Sequence, residues 1–173
     1  MGAKGTTGTG DRARRGLALR AATLDDVDAI ATVWHRGWID GHLGHVPEAI
    51  QEHRRLEHFR ERVPPRLAQT TVATIESHVV GFVTVHDDEI EQIYLAEAAR
   101  GSGVAGALLE HGEKVIAARF DVAWLAVATG NARARRFYDR QGWRDAAGID
   151  YAAEITNGTM IVPCRRYEKR VRP

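Results

Sequence analysis

The most constraining stretch of the chain is a strand-like run that meets a glycine-rich turn and then a helix. Glu89-Ile90-Glu91-Gln92-Ile93-Tyr94-Leu95 has the β-branched and aromatic content of a strand, and Arg100-Gly101-Ser102-Gly103-Val104-Ala105-Gly106 follows a short link. From there Val104, Leu108, Leu109, Val115 and Ile116 recur with a helical period. Glycines at such a junction let the backbone approach a ligand closely. They also leave the first amide N–H groups of the helix aimed outward, with the positive end of the helix dipole behind them. The arrangement can cradle a diphosphate. A glycine-rich helix start without any ligand is the competing reading, because short glycine motifs are common.

Two nucleotide-binding readings of the same glycines fail on context. Gly101-x-Gly103-x-x-Gly106 satisfies a dinucleotide fingerprint, and Asp121 lies about 20 residues on. That aspartate, however, precedes the next strand instead of ending it, and the glycines come after three antiparallel-looking strands. A phosphate-binding P-loop needs a Lys-Ser or Lys-Thr pair, which is missing here.

The rest of the chain supplies a sheet and helices around this junction. Leu17 to Arg20 reads as a strand, and Thr23 with Asp25 and Asp26 starts a helix along which Val27, Ile30, Ala31, Trp34 and Trp38 form an apolar stripe. Glu48 to Arg62, strongly charged and closed by Pro64 and Pro65, is expected as a surface helix. Thr70 to Ile75 and Val79 to Val85 make a candidate hairpin, Val122 to Val127 a buried strand, Asn131 to Gln141 a helix that Gly142 ends, and Trp143 to Tyr151 with Met160 to Tyr167 a closing pair of strands. This order predicts an α+β (mixed α/β) fold: a central, mostly antiparallel mixed sheet of about seven strands, with about four helices packed on both faces.

Bulk properties narrow the class. At 173 residues, with 44% hydrophobic and 27% charged residues, the chain has the size and composition of one globular domain, expected over 17–173. Lysine and arginine number 24 against 23 acidic residues, so no whole-molecule field favours nucleic acid or a membrane, and neither is expected as a partner. The one cysteine, Cys164, forms no internal disulfide, which points to a cytoplasmic setting. Met1 to Gly16 lacks the apolar run of a signal peptide and is read as a disordered leader.

The run from Glu89 through Arg100-Gly101-Ser102-Gly103-Val104-Ala105 to Leu109 resembles motif A of the GNAT acyltransferases, with Arg100, Gly103 and Ala105 in the three fixed places. Asn131-Ala132-Arg133-Ala134-Arg135-Arg136-Phe137-Tyr138, continuing to Gly142-Trp143, is similar to motif B. The likeness spans about Leu17 to Tyr167 in element order and is specific at residue level from Glu89 to Trp143. It implies the GNAT fold and an acetyl-CoA-dependent N-acetyltransferase that moves an acetyl group by direct attack to a primary amine. The amides of Arg100, Gly101, Ser102, Gly103, Val104 and Ala105 would then bind the pyrophosphate of acetyl-CoA. The backbone of Ile93, Tyr94 and Leu95 would pair with the pantetheine arm as an added strand. Asn131 would bond that arm from the other side, and Arg135 and Arg136 would either reach the adenosine phosphates or remain solvated charges.

Direct transfer needs a neutral amine, a donor for the thioester carbonyl and a proton for the departing thiolate. Tyr138 stands where the family places the tyrosine that protonates sulfur; a packing tyrosine after Phe137 is the alternative. Glu89 occupies a place where family members carry an acidic base, and Glu91, two residues on, would share its strand face. Either could serve, directly or through water, and the Leu95 amide would polarise the carbonyl.

The acceptor lip is expected within Trp34 to Val63, with Trp34, Trp38 and His42 as substrate-binding candidates and Trp34 equally suited to the core. Five histidines lie between His35 and His58, but His42-x-x-His45 falls in a glycine-broken loop and His53 and His58 are off a common helix face, so no metal is expected. The acceptor is read as a small amine or amino-acid-like compound. A protein amine, and a domain that binds acyl-CoA without turnover, remain open, as does a homodimer of the kind common in the family.

Overall fold

The computed structural model describes residues 16–173, so the leader read over 1–16 lies outside the described residues apart from Gly16. Seven strands form one sheet: β1 (Ala18–Ala21), β2 (Thr70–Ile75), β3 (His78–His86), β4 (Glu89–Leu95), β5 (Val122–Ala128), β6 (Arg144–Ile155) and β7 (Gly158–Arg170). Their order is β1-β2-β3-β4-β5-β7-β6, and every neighbouring pair is antiparallel except β4 and β5. Four α-helices among the described residues pack on it: α1 (Val27–His42), α2 (Leu56–Arg62), α3 (Val104–Ala117) and α4 (Ala132–Arg140). No helix among them is long and apolar enough to cross a membrane.

Strand alternation divides the core into two layers. Val83 and Val85 of β3 face α3 and α4, joining Ile90, Leu108, Leu109, Ile116, Leu125 and Tyr167. Phe82 faces the other way, with Trp34 and Trp38 of α1, Phe59 of α2, and Val162 and Cys164 of β7. The tryptophan stripe is thus core as well as wall. Val115, counted in the apolar stripe of α3, is 46% exposed.

The single surface helix expected over Glu48 to Arg62 is corrected. A 3-10 turn at Glu48–His53 is followed by a break at Arg54, then α2, then a second 3-10 turn at Pro64–Gln69. Ile50, Arg54, Phe59 and Arg62 are buried. The cover is the long hairpin β6–β7, whose tip folds over this segment: the Glu154 carbonyl accepts N–H groups from Arg54 and Arg62, and Thr156 bonds His53. Nothing local signals a cover about a hundred residues away in sequence.

Candidate active site

The parallel pair β4 and β5 is joined at one point, Glu89 opposite Trp124, and fastened there by the Trp124 indole N–H donating to Asp88 at 3.1 Å. Beyond it the two strands diverge, and a gap of about 100 Å³ opens between Ile90 to Tyr94 and Leu125 to Ala128. The opposite edge of β4 is taken by β3. Because the Ala96 amide donates to Val80, the Phe82–Tyr94 pair is the hydrogen-bonded one, and Val83–Ile93 and Gly81–Leu95 are not. Ile93 and Leu95 therefore turn their N–H and C=O groups into the gap, while those of Tyr94 are spent on β3. What Tyr94 brings is its ring, packed 5.9 Å from Phe82 and 6.5 Å from His42.

At the outer end of the gap lies a cleft of about 290 Å³ lined by the glycine-rich turn, α1 and α4. Gly101 (φ +73°) and Gly103 (φ +86°) hold left-handed conformations that other residues rarely adopt. The amides of Arg100 and Ser102 are used inside the turn, donating to Glu97 and Ala99. Those of Gly101, Gly103, Val104, Ala105 and Gly106 donate to no acceptor among the described residues, and no side chain caps the helix. Five free donors at the start of a 14-residue helix form an anion cradle. The expected donor set is narrowed accordingly: Arg100 instead pairs its guanidinium with Asp40 of α1, and the Ser102 hydroxyl donates to Ala99.

Asn131 caps α4, its Oδ1 accepting from the Ala134 amide at 3.1 Å, and lines both gap and cleft. Arg135, open above between a phosphate contact and a solvated charge, does not line the cleft. Its guanidinium is tied to the Thr129 carbonyl, Asp145 and the Tyr167 hydroxyl. Arg133 and Arg140 line the cleft with Phe137. Their i, i+4, i+7 spacing puts them on one helix face, a signal present in the sequence.

Tyr138 borders both gap and cleft. Its ring packs against Phe137 and Tyr167, yet its hydroxyl has no hydrogen-bond partner, and no fully enclosed side-chain oxygen among the described residues lacks one. The hydroxyl must therefore open onto the adjoining space. Burial, with a smaller contribution from Tyr94, pushes its pKa above the ordinary phenol value, so it is a neutral O–H donor near pH 7.

Inward of the gap is a cavity of about 180 Å³ bounded by α1, the segment from Val46 to Arg66, β4 and the β6–β7 hairpin. Glu89 and Glu91 both line it, although simple alternation does not explain how Gln92 does too. A bulge does: β4 carries one extra residue between the partners of Thr84 and Val85, so Glu91 and Gln92 fall on the same side. The two carboxylates differ in setting. Glu91 is locked to Arg66 at 3.0 Å, both side chains 18% exposed. Glu89 accepts a hydrogen bond from the Tyr151 hydroxyl at 3.0 Å, and burial, only partly offset by that bond, raises its pKa.

Trp34 and Trp38 form one wall of this cavity, and His42 borders the cavity, gap and cleft alike. His42 stacks on Trp38 with centroids 5.2 Å apart and approaches the Trp38 carbonyl through Nδ1 at 3.1 Å, so Nδ1 carries the proton and Nε2 is an acceptor. Burial first, helped by Arg54 and His45, lowers its pKa to about 4, which keeps the ring neutral. Arg54, Arg62, Arg66, Tyr151 and Glu154 also line the cavity, and sequence reasoning missed all five.

Comparison with known proteins agrees with this layout. The sequence profile of the acetyltransferase (GNAT) family matches residues 29–143. A GCN5-related N-acetyltransferase structure from Rhodopseudomonas palustris is 21% identical at a TM-score of 0.70, covering 90% of this chain and 96% of that one. PaiA N-acetyltransferase from Thermoplasma acidophilum, in complex with coenzyme A, is 17% identical at 0.70, over 89% and 98%. YncA, a putative acetyltransferase from Salmonella typhimurium with its cofactor acetyl-CoA, is 14% identical at 0.67, over 90% and 94%. These likenesses show the fold. No curated protein sequence matches the chain.

Proposed function

Since the chain belongs to the acetyltransferase (GNAT) family and is an acyltransferase, we propose that it moves an acetyl group from acetyl-CoA to the primary amine of a small molecule held in the inner cavity. The observation that carries this reading is the adjacency of three spaces. The cleft at the free-amide cradle shares Ile93, Asn131 and Tyr138 with the gap between β4 and β5, the gap shares Glu91 and Gln92 with the carboxylate-lined cavity, and His42 and Tyr94 border all three.

The residues present fit the cosubstrate. The amides of Gly101, Gly103, Val104, Ala105 and Gly106 suit a pyrophosphate, and the inward-turned backbone groups of Ile93 and Leu95 suit an amide-bearing arm laid along β4. Asn131 borders the same path, and Arg133 and Arg140, rather than Arg135, stand ready for further phosphate charge. Acetyl-CoA supplies the acetyl group as an activated thioester.

The protein's own part is proton management and positioning. Glu89, its proton affinity raised by burial, takes the proton of the attacking amine directly or through water as the C–N bond forms. Tyr138, held neutral, gives its proton to the sulfur as the C–S bond breaks, and solvent restores it. Glu91 balances Arg66 and is not the base. The Leu95 amide, facing the gap, is the donor to the carbonyl. Burial of the cavity beneath the β6–β7 hairpin favours a small acceptor over a protein surface.

The test is steady-state thiol release with an amine panel for wild type and Tyr138→Phe. The expected result is a fall of about 10²–10⁴ in kcat with acetyl-CoA affinity retained. Unchanged kcat would remove Tyr138 from the chemistry, and binding of acetyl-CoA without turnover of any amine would favour a non-catalytic acyl-CoA-binding domain.

A further inference from the structure

The inner cavity is lined by three arginines and three glutamates, but the arginines are not paired alike. Of its three arginines, Arg66 is neutralised by Glu91 at 3.0 Å and Glu154 at 2.6 Å. Arg54 and Arg62 are not. Each is only 8% exposed, and among the described residues neither forms a salt bridge. Arg54 donates to the His53 carbonyl at 3.0 Å and the Glu154 carbonyl at 2.8 Å, and Arg62 donates to the Glu154 carbonyl at 3.0 Å.

A guanidinium has five N–H groups, so donors remain on both. Nε of Arg54, and Nε and Nη1 of Arg62, have no acceptor among the described residues. No fully enclosed side-chain nitrogen among the described residues lacks a partner, so these nitrogens are reached by solvent, and both residues line the cavity. They are also held in place. Arg54 lies over the Trp38 ring at 5.5 Å from its centroid, and Arg62 over Phe59 at 6.0 Å. Two buried, preorganised guanidinium groups that no carboxylate contacts directly are costly to maintain unless an anion completes their hydrogen bonds.

We propose that the acceptor is a primary amine that also carries a carboxylate, and that Arg54 and Arg62 hold this carboxylate while the amine is turned toward Glu89. Planar guanidinium forks match a carboxylate in two-point contact, which a lysine would not. The volume of about 180 Å³ suits a compound of amino-acid size, below the roughly 300–1,000 Å³ of sites for drug-sized ligands. The inference rests on the acetyltransferase reading above, and Arg54 and Arg62 act as specificity-determining residues within it.

The experiment is thiol release from acetyl-CoA by the full-length enzyme with a panel of amino acids, each matched by its carboxamide and its decarboxylated amine, plus short peptides presenting a free N-terminus. The result expected is that the best acceptor bears a carboxylate, and that its carboxamide and decarboxylated amine are poorer in kcat/KM by 100-fold or more, chiefly through KM. Arg54→Gln and Arg62→Gln should each shrink that preference at least 10-fold, and Arg54→Lys should restore part of it. The wild-type panel decides the matter even if a variant fails to fold. Turnover of neutral amines or peptides as good as that of their acidic counterparts would overturn the inference and leave the acetyltransferase reading standing. A better phosphonate or sulfonate analogue would overturn the carboxylate assignment. Absence of thiol release above the amine-free background with every acceptor would remove both.

Discussion

A methyl group added at Gly37 sets two opposing terms against each other. Gly37 lies inside α1, where replacing glycine by alanine stabilises a helix by about 0.5–1 kcal/mol. A Cβ there would stand 2.5 Å from Cδ1 of Tyr94, whereas carbon atoms in ordinary contact sit about 3.5–4.0 Å apart. The ring or the helix must yield by about 1 Å. Tyr94 packs against Trp34, Phe82 and His42, so the ring can yield only toward the cavity, gap and cleft that it borders, into the space the ligands would use. Overpacking of this kind costs about 1–3 kcal/mol, so the expected net loss for Gly37→Ala is about 1 kcal/mol, a fall of about 2–4 °C in Tm. Thermal and urea unfolding measure it, and acetyl-CoA titration should show weaker binding because Tyr94 borders the gap. In a Tyr94→Leu background the same substitution should instead stabilise, isolating the steric term. A rise in Tm for Gly37→Ala alone, with acetyl-CoA affinity unchanged, would refute the idea that Tyr94 is a fixed wall.

Three further expectations follow. Glu89→Gln should lower kcat/KM about 100-fold and abolish the acid limb of its pH profile, which in wild type lies above the ordinary glutamate range because burial disfavours the ion; Glu91→Gln should preserve that limb. Arg133→Ala and Arg140→Ala should each weaken acetyl-CoA binding about two- to five-fold, less at high salt, whereas Arg135→Ala should leave affinity intact and lower stability slightly, because Asp145 keeps its partner Arg165 and loses only the second guanidinium. The Asp26 carboxyl is held down to about 2, first by the hydrogen bond from Arg20 and then by Thr23 against the opposing effect of burial. Its stabilisation is therefore fully present above about pH 4 and lost as pH falls through about 2, and Asp26→Asn should cost about 1–2 kcal/mol in urea unfolding at pH 7 but not below pH 2.

What the sequence made legible was local. The strand, turn and helix from Glu89 to Ala117 announce themselves because glycine spacing and helical period act over a few residues, and the hairpin β2–β3 does so because Glu76 and Ser77 separate two β-branched runs. The seven strands and three of the four α-helices follow from the same signals, whereas α2 is only the end of the helix expected over Glu48 to Arg62. Three things escaped. The bulge that turns both Glu91 and Gln92 toward the cavity is a property of pairing with β3, not of β4 alone. The partners of Arg135 were not legible because motif spacing places a residue on a helix without saying which face that helix presents. The acidic and basic lining of the inner cavity was invisible because Arg54 and Arg62 look like surface charges until Glu154, about a hundred residues later, is folded over them.

Amide hydrogen exchange, with and without acetyl-CoA, tests the central claim most directly. In the free protein the amides of Gly101, Gly103, Val104, Ala105 and Gly106 have no acceptor among the described residues, and Ile93 and Leu95 face the gap, so all seven should exchange fast. Addition of acetyl-CoA should slow exchange at these positions and leave the β6–β7 ladder unchanged. Absence of protection there, or protection confined to another surface, would contradict the assignment of the β4–β5 gap and the α3 cradle as the acetyl-CoA site.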